Sequence, residues 1–227
     1  VKYDPDAWAD LAKLAGMKYV VVTTKHHDGF CMFDSKQTDY DIMNTPYGKD
    51  TIKMLAKSFR RKGLKVGFYY SIMDWHHFDY IPRRTWEIEQ GIHSDKGAKF
   101  SRYQKYMADQ VKEILTNYGE IFALWWDGCW SVTAEQMKSA AIHKMARKLQ
   151  PGIIINDRAD LPEDLATPEQ NIPATGIKDA NGNPMNWEAC ITMTSLWWGY
   201  DKSEKNFKSN EFLIRMLIDI VSKGGNL

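Results

Sequence analysis

Ile121-Phe122-Ala123-Leu124-Trp125-Trp126 is an unbroken apolar run, and Asp127-Gly128 closes it. A strand with one wet face alternates apolar and polar residues. A run without alternation belongs to a strand covered on both faces, the state of a parallel sheet packed between helices. The rest of the chain has the same grammar. Asp4-Pro5 is a cap followed by a first-turn proline, and Trp8, Leu11, Ala12 and Ala15 then share a helical face that Gly16 ends. A β-branched strand is expected over 18–24. Asp50 caps a second helix with Ile52, Leu55, Ala56 and Phe59 inward, and a strand over 65–70 follows. Ser101-x-x-Gln104 reads as the capping box of a third helix carrying Tyr103, Tyr106, Met107, Val111, Ile114, Leu115 and Tyr118. Thr133-x-x-Gln136 opens a fourth, with Met137, Ala141, Met145 and Leu149 on one face. Ile153-Ile154-Ile155 is a short buried strand. A loop-rich stretch over 158–187, a weaker strand over 189–196 and a last helix over 210–223 complete the pattern.

Alternating helices and apolar strands imply an α/β fold with a parallel sheet, either a (β/α)8 barrel or an open doubly wound sheet. No glycine-rich dinucleotide fingerprint follows any strand, which removes the commonest reason for the open form. Polar residues recur just after the strands: His26-His27-Asp28, then Ser71, Asp74 and Trp75, then Asp127, then Asn156-Asp157-Arg158. A barrel collects such strand ends on one rim, where barrel enzymes keep their chemistry. The expectation is therefore a (β/α)8-like barrel, residues 1–227 forming a single catalytic domain that is incomplete at both ends.

A formal net charge of +1 with 26% charged residues excludes an electrostatic footprint for nucleic acid. No apolar stretch is long enough to span a bilayer. Cys31, Cys129 and Cys190 lack the spacing of a zinc site, and an odd number does not make a disulfide framework. Nine tryptophans and eleven tyrosines are many for this length, and aromatic rings stack on the apolar faces of sugars.

Asp127 is the strongest candidate for chemistry, because a buried strand holds its last side chain well; a plain turn cap is the competing reading. His26 and His27 suit sugar hydroxyls, since each ring nitrogen can donate or accept. Neighbours on a strand point to opposite faces, so regular β geometry would not let both bind one metal, and no metal or cofactor is expected. Glu169, in Thr167-Pro168-Glu169-Gln170, and Glu188, beside Trp187, are both candidate proton donors, and spacing does not choose between them. Trp75, Trp125, Trp126, Trp130, Trp187, Trp197 and Trp198 surround these polar positions in sequence and favour a saccharide site.

Together these motifs resemble the α-L-fucosidases of glycoside hydrolase family 29. The resemblance is carried by Gly16-Met17-Lys18-Tyr19, Thr24-Lys25-His26-His27-Asp28-Gly29-Phe30, Asp34-Ser35-Lys36 with Thr38-Asp39-Tyr40, and Tyr69-Tyr70-Ser71 with Asp74-Trp75. Trp126-Asp127-Gly128, Thr167-Pro168-Glu169-Gln170, Trp198-Gly199-Tyr200 and the stretch from Asp219 to Asn226 complete it. It implies a barrel that hydrolyses terminal α-L-fucosides of oligosaccharides or glycoconjugates with retention, and a secreted, periplasmic or lysosomal setting. It implies Asp127 as nucleophile, Glu169 as acid/base with Glu188 as the alternative, and His26, His27, Tyr70, Trp125 and Arg158 as sugar-binding residues. It also implies that the family's first βα unit and closing strands lie outside this chain. A barrel glycosidase of other specificity and a non-catalytic fucose-binding remnant are the rival readings.

Overall fold

Asp4 and Pro5 start the first helix in the expected way: the Asp4 carboxylate accepts from the Ala7 N–H at 3.0 Å and proline takes the first turn of α1 (Pro5–Leu14). These details come from a computed structural model, which describes residues 3–91, 95–195 and 197–227. The chain divides into two compact units, Val1–Leu161 and Pro162–Leu227.

The first unit alternates as expected. After α1 come β1 (Tyr19–Lys25), α2 (Thr51–Arg61), β2 (Lys65–Ser71), a short α3 (Thr85–Glu89), α4 (Phe100–Thr116) and β3 (Ala123–Asp127). Then α5 (Ala134–Met137), α6 (Ser139–Leu149) and β4 (Ile154–Ile155) follow. The four strands form one parallel sheet in the order β1-β2-β3-β4, so each strand lies beside the next in sequence. Asp50 caps α2 through the Lys53 N–H at 2.8 Å, and Ile52, Ala56 and Phe59 are buried. Tyr103, Met107, Gln110, Val111, Ile114 and Leu115 form the buried face of α4. All of β3 is buried, as its unbroken apolar run demands.

In this unit three expectations change. On α1 the buried residues are Pro5, Ala9 and Ala12, whereas Trp8 and Leu11 are exposed. Small side chains let α1 lie close to α2, and Trp8 instead packs edge-on against Tyr3. Ser101 does not cap α4, because the helix begins one residue earlier. Asp79 takes the capping role from a distance, accepting the Lys99 N–H at 2.9 Å and the Arg102 guanidinium. The Thr133/Gln136 capping box is present, but Lys138 adopts a left-handed conformation (φ 57°) and breaks the fourth helix into α5 and α6. That break turns the buried face of α6 to Ser139, Ile142, His143 and Ala146, leaving Ala141 exposed.

The second unit has a parallel three-stranded sheet, β5 (Leu165–Ala166), β6 (Asn186–Glu188) and β7 (Gly225–Asn226), with α7 (Asn210–Ser222). Trp187, Ala166, Ala189, Met216 and Ile220 form its core. The strand expected over 189–196 is not continuous. Lys208 Nζ donates to the Thr192 and Thr194 carbonyls at 2.6 Å each, so a side chain occupies acceptors that a ladder would use. Leu196 lies outside the described residues. No helix among the described residues is long and apolar enough to cross a membrane. The chain is α/β with parallel sheets.

A buried ion pair ties the strand ends of the first unit together. Lys25, the last residue of β1, reaches Asp74 Oδ2 at 2.8 Å, and both side chains are enclosed. The other Asp74 oxygen accepts the His76 and His77 N–H groups at 3.0 and 2.8 Å. Lys25 Nζ also lies 4.6 Å from the Tyr70 ring centre. Asp74→Ala leaves a buried ammonium unpaired and is expected to cost about 3–5 kcal/mol in urea unfolding. Lys25→Met/Asp74→Leu, which removes both charges, is expected to cost less than Asp74→Ala alone.

Candidate active site

Parallel register sorts the rings at the strand ends onto two faces. Tyr69 pairs with Trp125, Tyr70 with Trp126, and Ser71 with Asp127. Because side chains alternate, Tyr69, Ser71, Trp125 and Asp127 share one face, and Tyr70 and Trp126 take the other. The second face meets the helices: Tyr70 is wholly buried and donates to Gln110 Oε1 of α4 at 2.7 Å, and Trp126 lies 6.0 Å from the His143 ring of α6. Tyr70, expected among the sugar-binding residues, is therefore a core residue, and Tyr69 beside it is the one that reaches Asp127.

Asp127 is held at both oxygens. Arg158 donates to Oδ1 at 2.9 Å, and the Tyr69 hydroxyl donates to Oδ2 at 2.7 Å. His27 Nε2 lies 3.7 Å from Oδ2. Arg158 is itself positioned, because its guanidinium stacks 4.7 Å from the Trp125 ring centre. Two residues earlier, the buried Asn156 amide accepts the Trp126 N–H at 2.7 Å and donates to the Trp126 carbonyl at 3.0 Å. A side chain thus continues the β3–β4 ladder one step past the end of β4 and fixes the segment that carries Arg158.

The rings form a ladder across the sheet. His26 stacks on Tyr69 at 5.5 Å, Tyr69 on Trp125 at 5.5 Å, and Trp125 on Arg158. His27 is buried, with its ring 5.5 Å from both Trp75 and Trp130. Trp130 is 66% exposed and stands edge-on to His27 at the surface. Trp187 belongs to the core of the second unit, and Trp197 and Trp198 are exposed there.

Two glycines are required by this crowding. Gly29 and Gly128 have φ of +78° and +79°, where L side chains are strained. A Cβ on Gly29 would sit 2.4 Å from Asp74 Oδ1, and one on Gly128 would sit 2.9 Å from Met73 Cβ and 3.1 Å from His27 Cε1. The glycine after Asp127 is thus what lets His27 approach the carboxylate.

Strand alternation does not keep His26 and His27 apart, because β1 ends at Lys25 and both histidines lie beyond it. Their rings come within 4.1 Å, and one ligating atom each from His26, His27 and Asp127 falls within 4.8 Å of the others. Two imidazoles and a carboxylate can hold a transition metal. The Arg158 charge already paired with Asp127 opposes a second cation there.

Glu169 and Glu188 belong to the second unit. Glu169 is exposed and bridges Cys190 across a parallel pair, and Glu188 is buried at the end of β6. Sequence reasoning missed Tyr69 as the partner of Asp127 and Ser71 as the partner of His27. The parallel register found for β2 and β3 was the signal that separates Tyr69 from Tyr70.

The family model described as Alpha-L-fucosidase matches residues 1–227. Among solved structures, alpha-L-fucosidase isoenzyme 1 from Paenibacillus thiaminolyticus is 47% identical with a TM-score of 0.94, covering 100% of this chain and 57% of its own. A trapped covalent intermediate of a family 29 alpha-L-fucosidase from Bacteroides thetaiotaomicron, in complex with 2-fluoro-fucosyl fluoride, is 33% identical with a TM-score of 0.80. It covers 99% of this chain and 54% of its own. The alpha-L-fucosidase of Dictyostelium discoideum is 28% identical over 99% of this chain and 48% of its own length. The chain spans about half the length of the curated relatives it matches.

Burial, and then the neighbouring His26, push the His27 pKa down from its ordinary 6.5 to about 4, against the pull of Asp127. His77 is lowered too, chiefly by burial. Between these values the unfolded chain binds a proton that native His27 refuses, so this contribution to stability is complete above pH 6.5 and is lost as pH falls toward 4. Urea midpoints are expected to drop between pH 7 and pH 4.5, and to drop less in His27→Gln.

Proposed function

This chain belongs to the alpha-L-fucosidase family, and from that premise we propose that it carries the nucleophile half of a retaining α-L-fucoside hydrolase. One observation carries the reading: Asp127 stands at a buried strand end, bound at one oxygen by Arg158 and at the other by Tyr69. The charged carboxylate is the form that both donors bind, and their grip fixes its direction. Asp127 attacks the anomeric carbon, the glycosidic C–O bond breaks, and a glycosyl ester forms. The covalent intermediate trapped in the Bacteroides relative supports this chemistry.

Glu169 protonates the departing oxygen, then takes a proton from the water that cleaves the ester, regenerating both carboxyl groups. Its motif supports the assignment, and Glu188 is the alternative. Retention asks for carboxyl groups about 5–5.5 Å apart when sugar is bound. His26, His27, Arg158 and the edges of Trp125 and Tyr69 receive the fucose ring. The substrate is a terminal α-L-fucoside of an oligosaccharide or glycoconjugate.

The parallel order β1-β2-β3-β4, with a crossover helix between successive strands, supports reading the first unit as an arc of a (β/α)8-like barrel. In this proposal residues 1–227 belong to one catalytic domain.

Measured on the complete protein with an aryl α-L-fucoside, Asp127→Ala is expected to lower kcat by about ten-thousandfold. Added azide should then give the β-fucosyl azide. For Glu169→Ala, azide should restore turnover and give the α-azide; that result with Glu188→Ala instead moves the acid/base role. Normal activity of Asp127→Ala rules the nucleophile assignment out.

A further inference from the structure

Ser71 ends β2 fully buried, and its one hydroxyl has two close partners. Oγ lies 2.6 Å from the Met73 carbonyl oxygen and 2.6 Å from His27 Nδ1. A carbonyl only accepts, and a serine hydroxyl has a single proton to give. That proton goes to Met73, so Ser71 accepts at the other contact and His27 Nδ1 carries the hydrogen. A neutral imidazole has one N–H, which leaves Nε2 bare. The bare nitrogen faces Asp127 Oδ2 at 3.7 Å, two acceptors side by side with no proton between them. Had His27 held its proton on Nε2, that atom would turn a donor toward Asp127, and Nδ1 and Ser71 would meet lone pair to lone pair.

The walls around His27 keep the ring in this pose. The Trp75 backbone N–H donates to the His27 carbonyl at 2.7 Å, Gly128 lies under Cε1, and the His26 ring lies 4.1 Å away. The low pKa of His27 agrees, since a second proton on the ring is disfavoured.

We propose that Ser71 is a positioning residue: by accepting the Nδ1 proton it locks His27 as the Nδ1–H tautomer, so that the bare Nε2 beside Asp127 accepts from one hydroxyl of the bound sugar. The tautomer follows from the hydrogen bonds alone. The sugar rests on the fucoside reading above. The lock makes the pocket select for a donor: a ligand with a hydroxyl there satisfies Nε2, and one with an ether or fluorine sets a lone pair against it. It also spares Asp127 a competing N–H donor, so the Oδ2 lone pair not bound by Tyr69 stays open to reaction.

The test is ¹⁵N NMR of the complete protein with labelled histidine, the His27 signals assigned with His27→Gln. Wild type at pH 7 is expected to show His27 protonated at Nδ1 and bare at Nε2. Ser71→Ala should move the proton to Nε2, and Ser71→Thr should restore it to Nδ1. With an aryl α-L-fucoside, Ser71→Ala should lower kcat/KM about tenfold to a hundredfold, the loss of one hydrogen bond and its geometry, with Ser71→Thr recovering part of it. A wild-type His27 protonated at Nε2 overturns the proposal whether or not any variant folds. So does an unchanged tautomer in Ser71→Ala. If wild type shows the Nδ1–H tautomer but hydrolyses no α-L-fucoside, the fucoside reading fails while the tautomer lock stands.

Discussion

A lysine ammonium and an aspartate carboxylate sealed together below a sheet rim hold this site in place. Lys25 belongs to β1, and Asp74 to the loop that follows β2. Neither group reaches water, so each needs the other, and the polypeptide on both sides must bring them together. Once joined, the pair fixes two turns of the candidate site. His26 and His27 follow Lys25 directly, and the other Asp74 oxygen gathers the N–H groups of His76 and His77. Gly29 has no side chain because Asp74 fills the space where a Cβ would go. The pair and its π contacts set the level at which His27 meets Asp127.

Everything above that pair depends on which way a strand faces. In β2 and β3 one residue of offset separates a ring beside Asp127 from one in the core. Tyr69 donates to the carboxylate while Tyr70 donates into α4, and Trp125 stacks on Arg158 while Trp126 packs toward α6. The parallel register aligns these choices from strand to strand, so one face becomes polar and aromatic and the other remains core.

The order of elements was legible because apolar runs and caps are local signals. Asp4, Asp50 and Thr133 cap helices where their spacing says they should. Asp127 was legible for the same reason: an unbroken apolar run points straight at its last residue. What could not be read depends on contacts between distant segments. Ser101 loses its capping role to Asp79, twenty residues from the Lys99 N–H it accepts. Tyr70 was named for sugar binding by the resemblance, and the one-residue offset to Tyr69 could not be read because period two has no absolute phase until a neighbouring strand supplies one. The His26/His27 pair escaped the alternation rule because its strand stops one residue too soon, and pairing, which composition does not report, decides where a strand stops. Ser71 was visible as a polar strand end, but its partner comes from a turn forty-four residues away.

The ladder from His26 through Tyr69 and Trp125 to Arg158 takes one rung from each of four successive strand ends. A ribosome makes those rungs in order, and Asp127 appears thirty-one residues before the arginine that pairs with it. Without the residues after Leu149, Asp127 would keep Tyr69 and His27 beside it but would lack the Arg158 cation, and β3 would lack its β4 neighbour. The last rung in chain order is therefore also the one that balances the charge of Asp127.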